Sequence, residues 1–390
     1  MTKSGAIRIF VFLFILSLYS CGSGDTQNSN GSDGDAPEFN GGDEDGGIDG
    51  DAENGEDSEL VIVDGDKDLA EAGEETEETV DGDESADGDT SEAIDGDETE
   101  SEPEEDWDFP ELPNPYATGP YEVGASAVET EQSGAAVQFD LYAPTAVQAY
   151  PLVIFQHGFT MDASYYSAIL THVASHGFVV VAPQMYKPAN LIGLPTAAEE
   201  AVTAAAFYAW LPDHLESFAG VEVDFTRVGL AGHSRGGKVI WLALDANQDL
   251  ASAVAGVDPV DGTGGPFGGE ARVIDGPFEF PFPSLVLGSG LGGSCAPEGE
   301  NHVQFYEASA SPAWHVVATE YGHNDFLNDE TPGCLGCGIC TSGPSRAPMR
   351  KLTAGMLTAF FKHTLTDEPD WDILLDNTQA APVDVTIESK

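Results

Sequence analysis

The chain has 390 residues and a formal net charge of −56, set by 69 Asp and Glu against 13 Lys and Arg. The acids are unevenly spread: residues 22–110 hold 36 of them and one base, Lys67, whereas residues 111–390 hold 33 acids and 10 bases. Phosphate binding needs clustered Lys and Arg, and no such cluster occurs, which argues against nucleic acid as a partner.

Residues 1–21 read as a lipoprotein signal peptide. Lys3 and Arg8 precede the apolar run "IFVFLFILSLYS", which is short for a membrane-spanning helix, and Cys21 follows directly. Leu18-Tyr19-Ser20-Cys21 resembles a bacterial lipobox, although Tyr19 is unusual in that pattern. On this reading Cys21 is lipidated and begins the mature chain, and dual acylation gives stable anchoring where a single acyl chain does not. Gly22, next in sequence, resembles the residue found in lipoproteins passed to the outer membrane, so an exported, envelope-anchored protein is expected. The competing reading is a plain secretory signal with an incidental cysteine.

Residues 22–115 are rich in Gly, Asp, Glu, Ser and Thr and poor in apolar side chains. Such a segment repels itself and cannot bury enough apolar surface to fold, so a disordered linker is expected. At that length it spans on the order of 50 Å. A short unit recurs at Ile48-Asp49-Gly50-Asp51, Val63-Asp64-Gly65-Asp66, Val80-Asp81-Gly82-Asp83 and Ile94-Asp95-Gly96-Asp97. Asp-x-Asp supplies hard oxygen ligands, but no unit carries the Glu that completes a calcium-binding EF-hand loop; weak calcium binding is the expectation.

From residue 116 the pattern becomes that of a folded domain, expected to run to 368 with a tail at 369–390. Strands are predicted at 135–144, 151–159, 178–185, 227–234, 251–260, 283–290 and 313–323. Helices are predicted at 163–177, 197–211, 236–246 and 347–365. Continuous apolar strands alternating with helices indicate an α/β protein, with a mostly parallel central sheet covered on both faces.

The strand at 227–234 runs into Gly232-His233-Ser234-Arg235-Gly236, a G-x-S-x-G motif opening a helix. That context marks Ser234 as a nucleophile on a sharp turn. A serine hydroxyl needs a base, and the base needs an orienting acid, in the chain order Ser, Asp or Glu, His. His302, His315, His323 and His363 follow the serine. His323, in "EYGHND" at the end of the last predicted strand, is the preferred base, with His302 the alternative; catalytic groups gather at strand C-termini in such sheets. Asp258 and Asp261 in "GVDPVDG" are the candidate acids, and Asp258 comes directly off its strand. The backbone N–H groups of Arg235 and Phe159 are the candidate oxyanion donors. His157 is read as a loop-holding residue, and Phe159, Tyr165, Tyr166 and Tyr186 as lining either a pocket or the core.

Together, "GHSRGGK" (232–238), "GVDPVDG" (256–262), "CAPEGENHVQFY" (295–306), "EYGHNDFLNDETPG" (320–333) and "MRKLTAGMLTAFFK" (349–362) resemble the chlorophyllase family of α/β hydrolases over about 120–365. The resemblance implies an α/β-hydrolase fold, a triad of Ser234, Asp258 and His323, no cofactor or metal, and hydrolysis of a hydrophobic ester, as chlorophyllases cleave the phytyl ester of chlorophyll. It also implies a disulfide between Cys295 and Cys340, which leaves Cys334 and Cys337 as a second pair. Export favours disulfides for these four cysteines; a zinc site is the alternative reading of Cys334, Cys337 and Cys340. The expected function is that of a serine carboxylic-ester hydrolase. Acyl transfer by the same triad and a non-catalytic surface-binding module on an acidic stalk are its rivals.

Overall fold

A computed structural model describes residues 107–187, 194–262, 270–332 and 337–390. The signal peptide, Cys21, the acidic segment with its Asp-Gly-Asp units up to residue 106, and Cys334 lie outside the described residues. The described strands are β1 (Val123–Val128), β2 (Phe139–Pro144), β3 (Ala149–Gln156), β4 (Val179–Pro183), β5 (Glu222–His233), β6 (Ala253–Val257), β7 (Ser284–Ser289), β8 (Ala313–Ala318) and β9 (Val385–Ser389). The helices are α1 (Thr130–Ser133), α2 (Ser167–Ser175), α3 (Ala197–His214), α4 (Glu216–Ala219), α5 (Arg235–Ala246), α6 (His302–Ala308), α7 (Arg346–Leu365) and α8 (Trp371–Leu375).

All nine strands lie in one sheet, in the order β1-β2-β4-β3-β5-β6-β7-β8-β9. The six from β4 to β8 are mutually parallel, while β1, β2 and β9 pair antiparallel. The period of two in β3 explains the layering. Leu152 and Ile154 join one buried cluster with Phe207 and Leu211 of α3 and Val239, Ile240 and Trp241 of α5. Val153 and Phe155 join the other with Ile169 and Leu170 of α2 and Leu357 and Phe360 of α7. Both faces of the central strands are thus covered, which is why they read as unbroken apolar runs. This is the α/β-hydrolase architecture. Among the described residues no helix is long and apolar enough to cross a membrane.

Both expected domain boundaries shift outward. The stretch 369–390 is not a tail: it carries α8 and β9, and Ile387 of β9 sits opposite Val316 of β8. Val385 and Ile387 are half-buried between exposed polar neighbours, the weak alternation of an edge strand. At the other end, Trp107, Phe109 and Leu112, placed by sequence in the linker, pack against the α7 side of the core, and Trp107 Nε1 donates to Leu112 O at 3.1 Å. Their aromatic and apolar character is diluted by the acids around them.

The Tyr116 ring continues that packing, lying on α7 where Gly355 leaves room. A Cβ at Gly355 would stand 2.2 Å from Tyr116 Cδ1. Gly355→Ala is therefore expected to cost about 1–3 kcal/mol, read as a lower urea midpoint; an unchanged midpoint would show that the fold does not depend on this approach.

The same segment is held by the half-buried His172, whose Nε2 donates to Pro115 O at 2.8 Å, and the buried His176, whose Nε2 donates to Ala117 O at 2.9 Å. Burial holds both rings below their ordinary value, His176 at about 4. In the unfolded chain such rings take up a proton near pH 6.5 (about the free value). The unfolded state therefore binds more protons in this window. The stability contributed by the neutral rings is full above that pH and falls as the pH drops towards 4, with a slope of up to roughly 1.4 kcal/mol per pH unit per ring. Urea midpoints that stay level from neutrality to this acid limit would contradict the assignment.

Candidate active site

Ser234 joins the end of β5 to the start of α5, with φ 54° and ψ −122°. A non-glycine residue in this region is strained and persists only where its surroundings over-determine it. Here the glycines do so. A Cβ on Gly232 would stand 2.6 Å from the Gly236 backbone, and one on Gly236 would stand 2.4 Å from Gln156 O of β3. The helix can therefore turn back tightly over the strand. Ser234 N donates to Val257 O of β6 at 3.0 Å, which fixes the turn against the next strand.

His323 lies in the loop that follows β8. Its Nε2 is 2.8 Å from Ser234 Oγ and its Nδ1 is 2.6 Å from Asp258 Oδ2. All three residues are buried, Ser234 retaining 8% exposure and Asp258 none. Asp258 follows β6 directly, with φ 43°, and its N–H donates to Leu287 O of β7 at 2.7 Å. Ser289, at the end of β7, grips the carboxylate twice: its N–H donates to Oδ1 at 3.0 Å and its hydroxyl to Oδ2 at 2.7 Å. Burial pushes the Asp258 carboxyl up, but the hydrogen bond and charge of His323, the nearby His302 and the Ser289 hydroxyl outweigh it and hold it below the ordinary value. The arrangement is a base with a hydroxyl on one nitrogen and an ionised acid on the other.

The other candidates stand elsewhere. Asp261 accepts from Val273 N at 2.8 Å and Ile274 N at 3.1 Å and pairs with the buried ammonium of Lys238 at 3.2 Å. His302, at the start of α6, lies behind the acid: Nε2 is 3.9 Å from Asp258 Oδ1 and Nδ1 is 2.8 Å from His315 Nε2. Burial lowers both of these rings, His315 to about 4. His363 stands edge-on to Trp314 at 5.7 Å.

Phe159 and Arg235 line a pocket of about 420 Å³ that Ser234 also lines. Its walls include Lys238, Val260, Glu270, Pro297 and Cys295. Arg235 is the first residue of α5, so its N–H has no acceptor within the helix. Its guanidinium donates to Glu200 of α3 at 2.6 Å, to Glu270 at 2.7 Å and to Pro195 O at 2.6 Å, and covers the Phe159 ring at 5.3 Å. Burial pushes Glu200 up to about 7 against the pull of Arg235, with Glu270 adding to the rise. His157 holds the loop after β3: Nδ1–H donates to Gly158 O at 2.8 Å, Nε2 accepts from Met185 N at 3.0 Å, and burial brings the ring down to about 4. Of the four aromatics singled out in the sequence, Phe159 lines the pocket and Tyr166 is fully buried in the core; Tyr186 accepts from Thr160 N at 2.9 Å.

Cys295 and Cys340 form a disulfide, with Cα atoms 5.6 Å apart. Cys295 lines the pocket, and Cys340 Sγ accepts from Asn324 Nδ2, next to His323, at 3.2 Å. Cys337 is also disulfide-bonded. Ser289, Glu200 and Glu270 were not singled out in the sequence. Each acts on a group 31 to 35 residues away, and no local motif announces it.

The chlorophyllase family profile matches residues 112–390. Chlorophyllase-2 of Arabidopsis thaliana is 37% identical over 237 residues, covering 55% of this chain and 73% of that protein. The chloroplastic chlorophyllase-1 of Citrus unshiu is 36% identical over 256 residues, covering 62% and 76%. Chlorophyllase-1 of Arabidopsis thaliana is 33% identical over 270 residues, covering 63% and 82%. With the fold and the match in agreement, the chain belongs to the chlorophyllase family and is a carboxylic ester hydrolase of the α/β-hydrolase type.

Proposed function

We propose that this hydrolase works through an acyl-enzyme formed on Ser234. The observation that carries the reading is the hydrogen-bonded line Ser234–His323–Asp258 opening onto the pocket. The Ser234 hydroxyl attacks the ester carbonyl as His323 Nε2 takes its proton, and the new C–O bond yields an oxyanion held by the N–H groups of Arg235 and Phe159. Collapse of that intermediate expels the alcohol, which leaves with the proton from His323. Water then attacks the acyl-serine with His323 again as base, and the acid departs as Ser234 regains its proton. Asp258 keeps the imidazole in the productive tautomer and stabilises the imidazolium.

The proposed substrate is a hydrophobic ester, and the chlorophyllase names of the relatives make chlorophyll the first to try. Lys3, Arg8, the apolar run after them and Cys21 support export and lipid anchoring in the bacterial envelope, and Gly22 supports the outer membrane. The Asp-Gly-Asp units support weak calcium binding by the segment that follows.

Ser234→Ala is expected to lower turnover of p-nitrophenyl esters by roughly 10⁴-fold or more, and Asp258→Asn by roughly 10³–10⁴-fold, with melting unchanged. Ser234→Ala should also lose labelling by a fluorophosphonate. Retained turnover in a folded Ser234→Ala protein would end the reading. For the anchor, Cys21→Ser should move the protein from the membrane fraction to the soluble fraction of a bacterial host; a membrane-bound variant would show that another feature holds it there.

A further inference from the structure

A chain of buried groups that this mechanism does not use joins the loop after β3 to the catalytic histidine. Gly158 N is 3.0 Å from the Tyr166 hydroxyl, that hydroxyl is 2.8 Å from His233 Nδ1, and His233 Nε2 is 2.8 Å from the backbone oxygen of His323. The four residues come from four places: the turn after β3, the residue that precedes α2, the end of β5 and the loop after β8. Tyr166 and His233 are both fully buried.

The direction of every hydrogen bond is forced. A backbone N–H can only donate, so the Tyr166 oxygen accepts from Gly158. A backbone carbonyl can only accept, so His233 carries its proton on Nε2 and donates to His323. A neutral ring then has a bare Nδ1, which accepts the Tyr166 O–H. All donors and acceptors are satisfied with one proton on the ring. Burial, with the His323 ring adding to it, pushes His233 down to about 3, so the ring holds this single state throughout the neutral range. Gly158 fits because it lacks a side chain: a Cβ would stand 2.9 Å from His233 Nδ1 and 3.2 Å from the Tyr166 hydroxyl.

The two ends of this chain are the two parts of the site that must keep register. Gly158 is held through its N–H by Tyr166 and through its carbonyl by His157 Nδ1. The Gly158 carbonyl and the Phe159 N–H share one planar trans peptide and point in opposite directions, so fixing the first aims the second. At the far end the His323 backbone is held beside the ring that takes the proton.

We propose that Tyr166 and His233 are positioning residues, forming a brace that sets the oxyanion loop and the base at a fixed separation. The proposal rests on the reading of Ser234, His323 and the Phe159 N–H given above. The brace raises the rate of the chemical steps by orientation, because a displacement of about 1 Å in such a site costs on the order of 100-fold. It does not touch substrate, so it acts on kcat and leaves KM alone.

The test is a double-mutant cycle in the full chain with Tyr166→Phe, His233→Phe and both together, read as kcat, KM and melting temperature on a p-nitrophenyl ester. Tyr166→Phe is expected to lower kcat by about 10- to 100-fold with KM within about threefold, and the double variant should be no worse than the poorer single one, since one cut disables the chain. His233→Gln, whose amide N–H can still reach the His323 carbonyl, should recover part of the loss seen in His233→Phe. Tyr208→Phe removes another buried phenol, one that accepts from Gln156 Nε2 at 2.7 Å on the α3 side, and should leave kcat unchanged. Wild-type kcat in Tyr166→Phe, multiplying losses in the double variant, or an equal loss in Tyr208→Phe would each overturn the brace. If His233→Phe does not fold, the comparison of Tyr166→Phe with Tyr208→Phe decides alone. Ser234→Ala in the same series separates the two readings: activity there overturns the nucleophile, and with it the brace, whereas an inactive Ser234→Ala beside a fully active Tyr166→Phe overturns the brace only.

Discussion

The turn at Ser234 is the constraint on which the rest of the site depends. It brings the first turn of α5 against the carbonyl ends of β3 and β5, at distances that leave no room for a Cβ on Gly232 or Gly236. That approach holds the serine in a conformation it would not adopt alone, and the parallel strands on either side keep it there. β6 and β8 run parallel to β5, so their C-terminal ends deliver Asp258 and the His323 loop to the same edge of the sheet. Parallel order in the sheet thus becomes proximity of three side chains distant in sequence.

Around this turn the buried charges come with partners. Asp258 has His323 and Ser289, Lys238 has Asp261, and Arg235 has Glu200 and Glu270. Removing one member of an ion pair such as Lys238–Asp261 would leave the other charged and desolvated, which costs several kcal/mol. The histidines follow the opposite rule. His157, His233 and His315 are held neutral by burial and serve as hydrogen-bonding spacers. Burial and pairing thus fix most of the polar groups around this turn.

Much of the fold was legible because β3, β4, β6, β7 and the second half of β5 are apolar runs between helical patterns. β1 was not, because Val123–Val128 is built largely of small, exposed residues. β9 and the aromatic residues from Trp107 onward were missed for a related reason: an edge strand and a clasp need only a few apolar side chains, and charged neighbours hide them. Within the site, the serine was marked by its glycines and the histidine by its place after a strand. The acid was ambiguous between Asp258 and Asp261, since both follow β6. Only the fold separates them, by turning Asp261 towards Lys238 and the amides of Val273 and Ile274. Partners such as Glu200, Glu270 and Ser289 had no sequence signal at all, because each is set by packing between elements; Tyr166 was legible only as an aromatic of the pocket or the core.

The disulfide divides the site unequally. Cys295 and Cys340 are 45 residues apart, and the covalent ring they close contains α6, β8 and His323, while Ser234 and Asp258 lie outside it. Closing a ring of that size removes conformational freedom from the unfolded chain worth about 4 kcal/mol on the simple chain-entropy account. Within the site that constraint bears directly on openings of the histidine half, whereas the Ser234 turn is held by close packing at its glycines and by the bond from Ser234 N to Val257 O. Reduction would therefore loosen the loop that carries His323 before the turn that carries Ser234, so the redox state of the surroundings governs how long the two halves stay assembled.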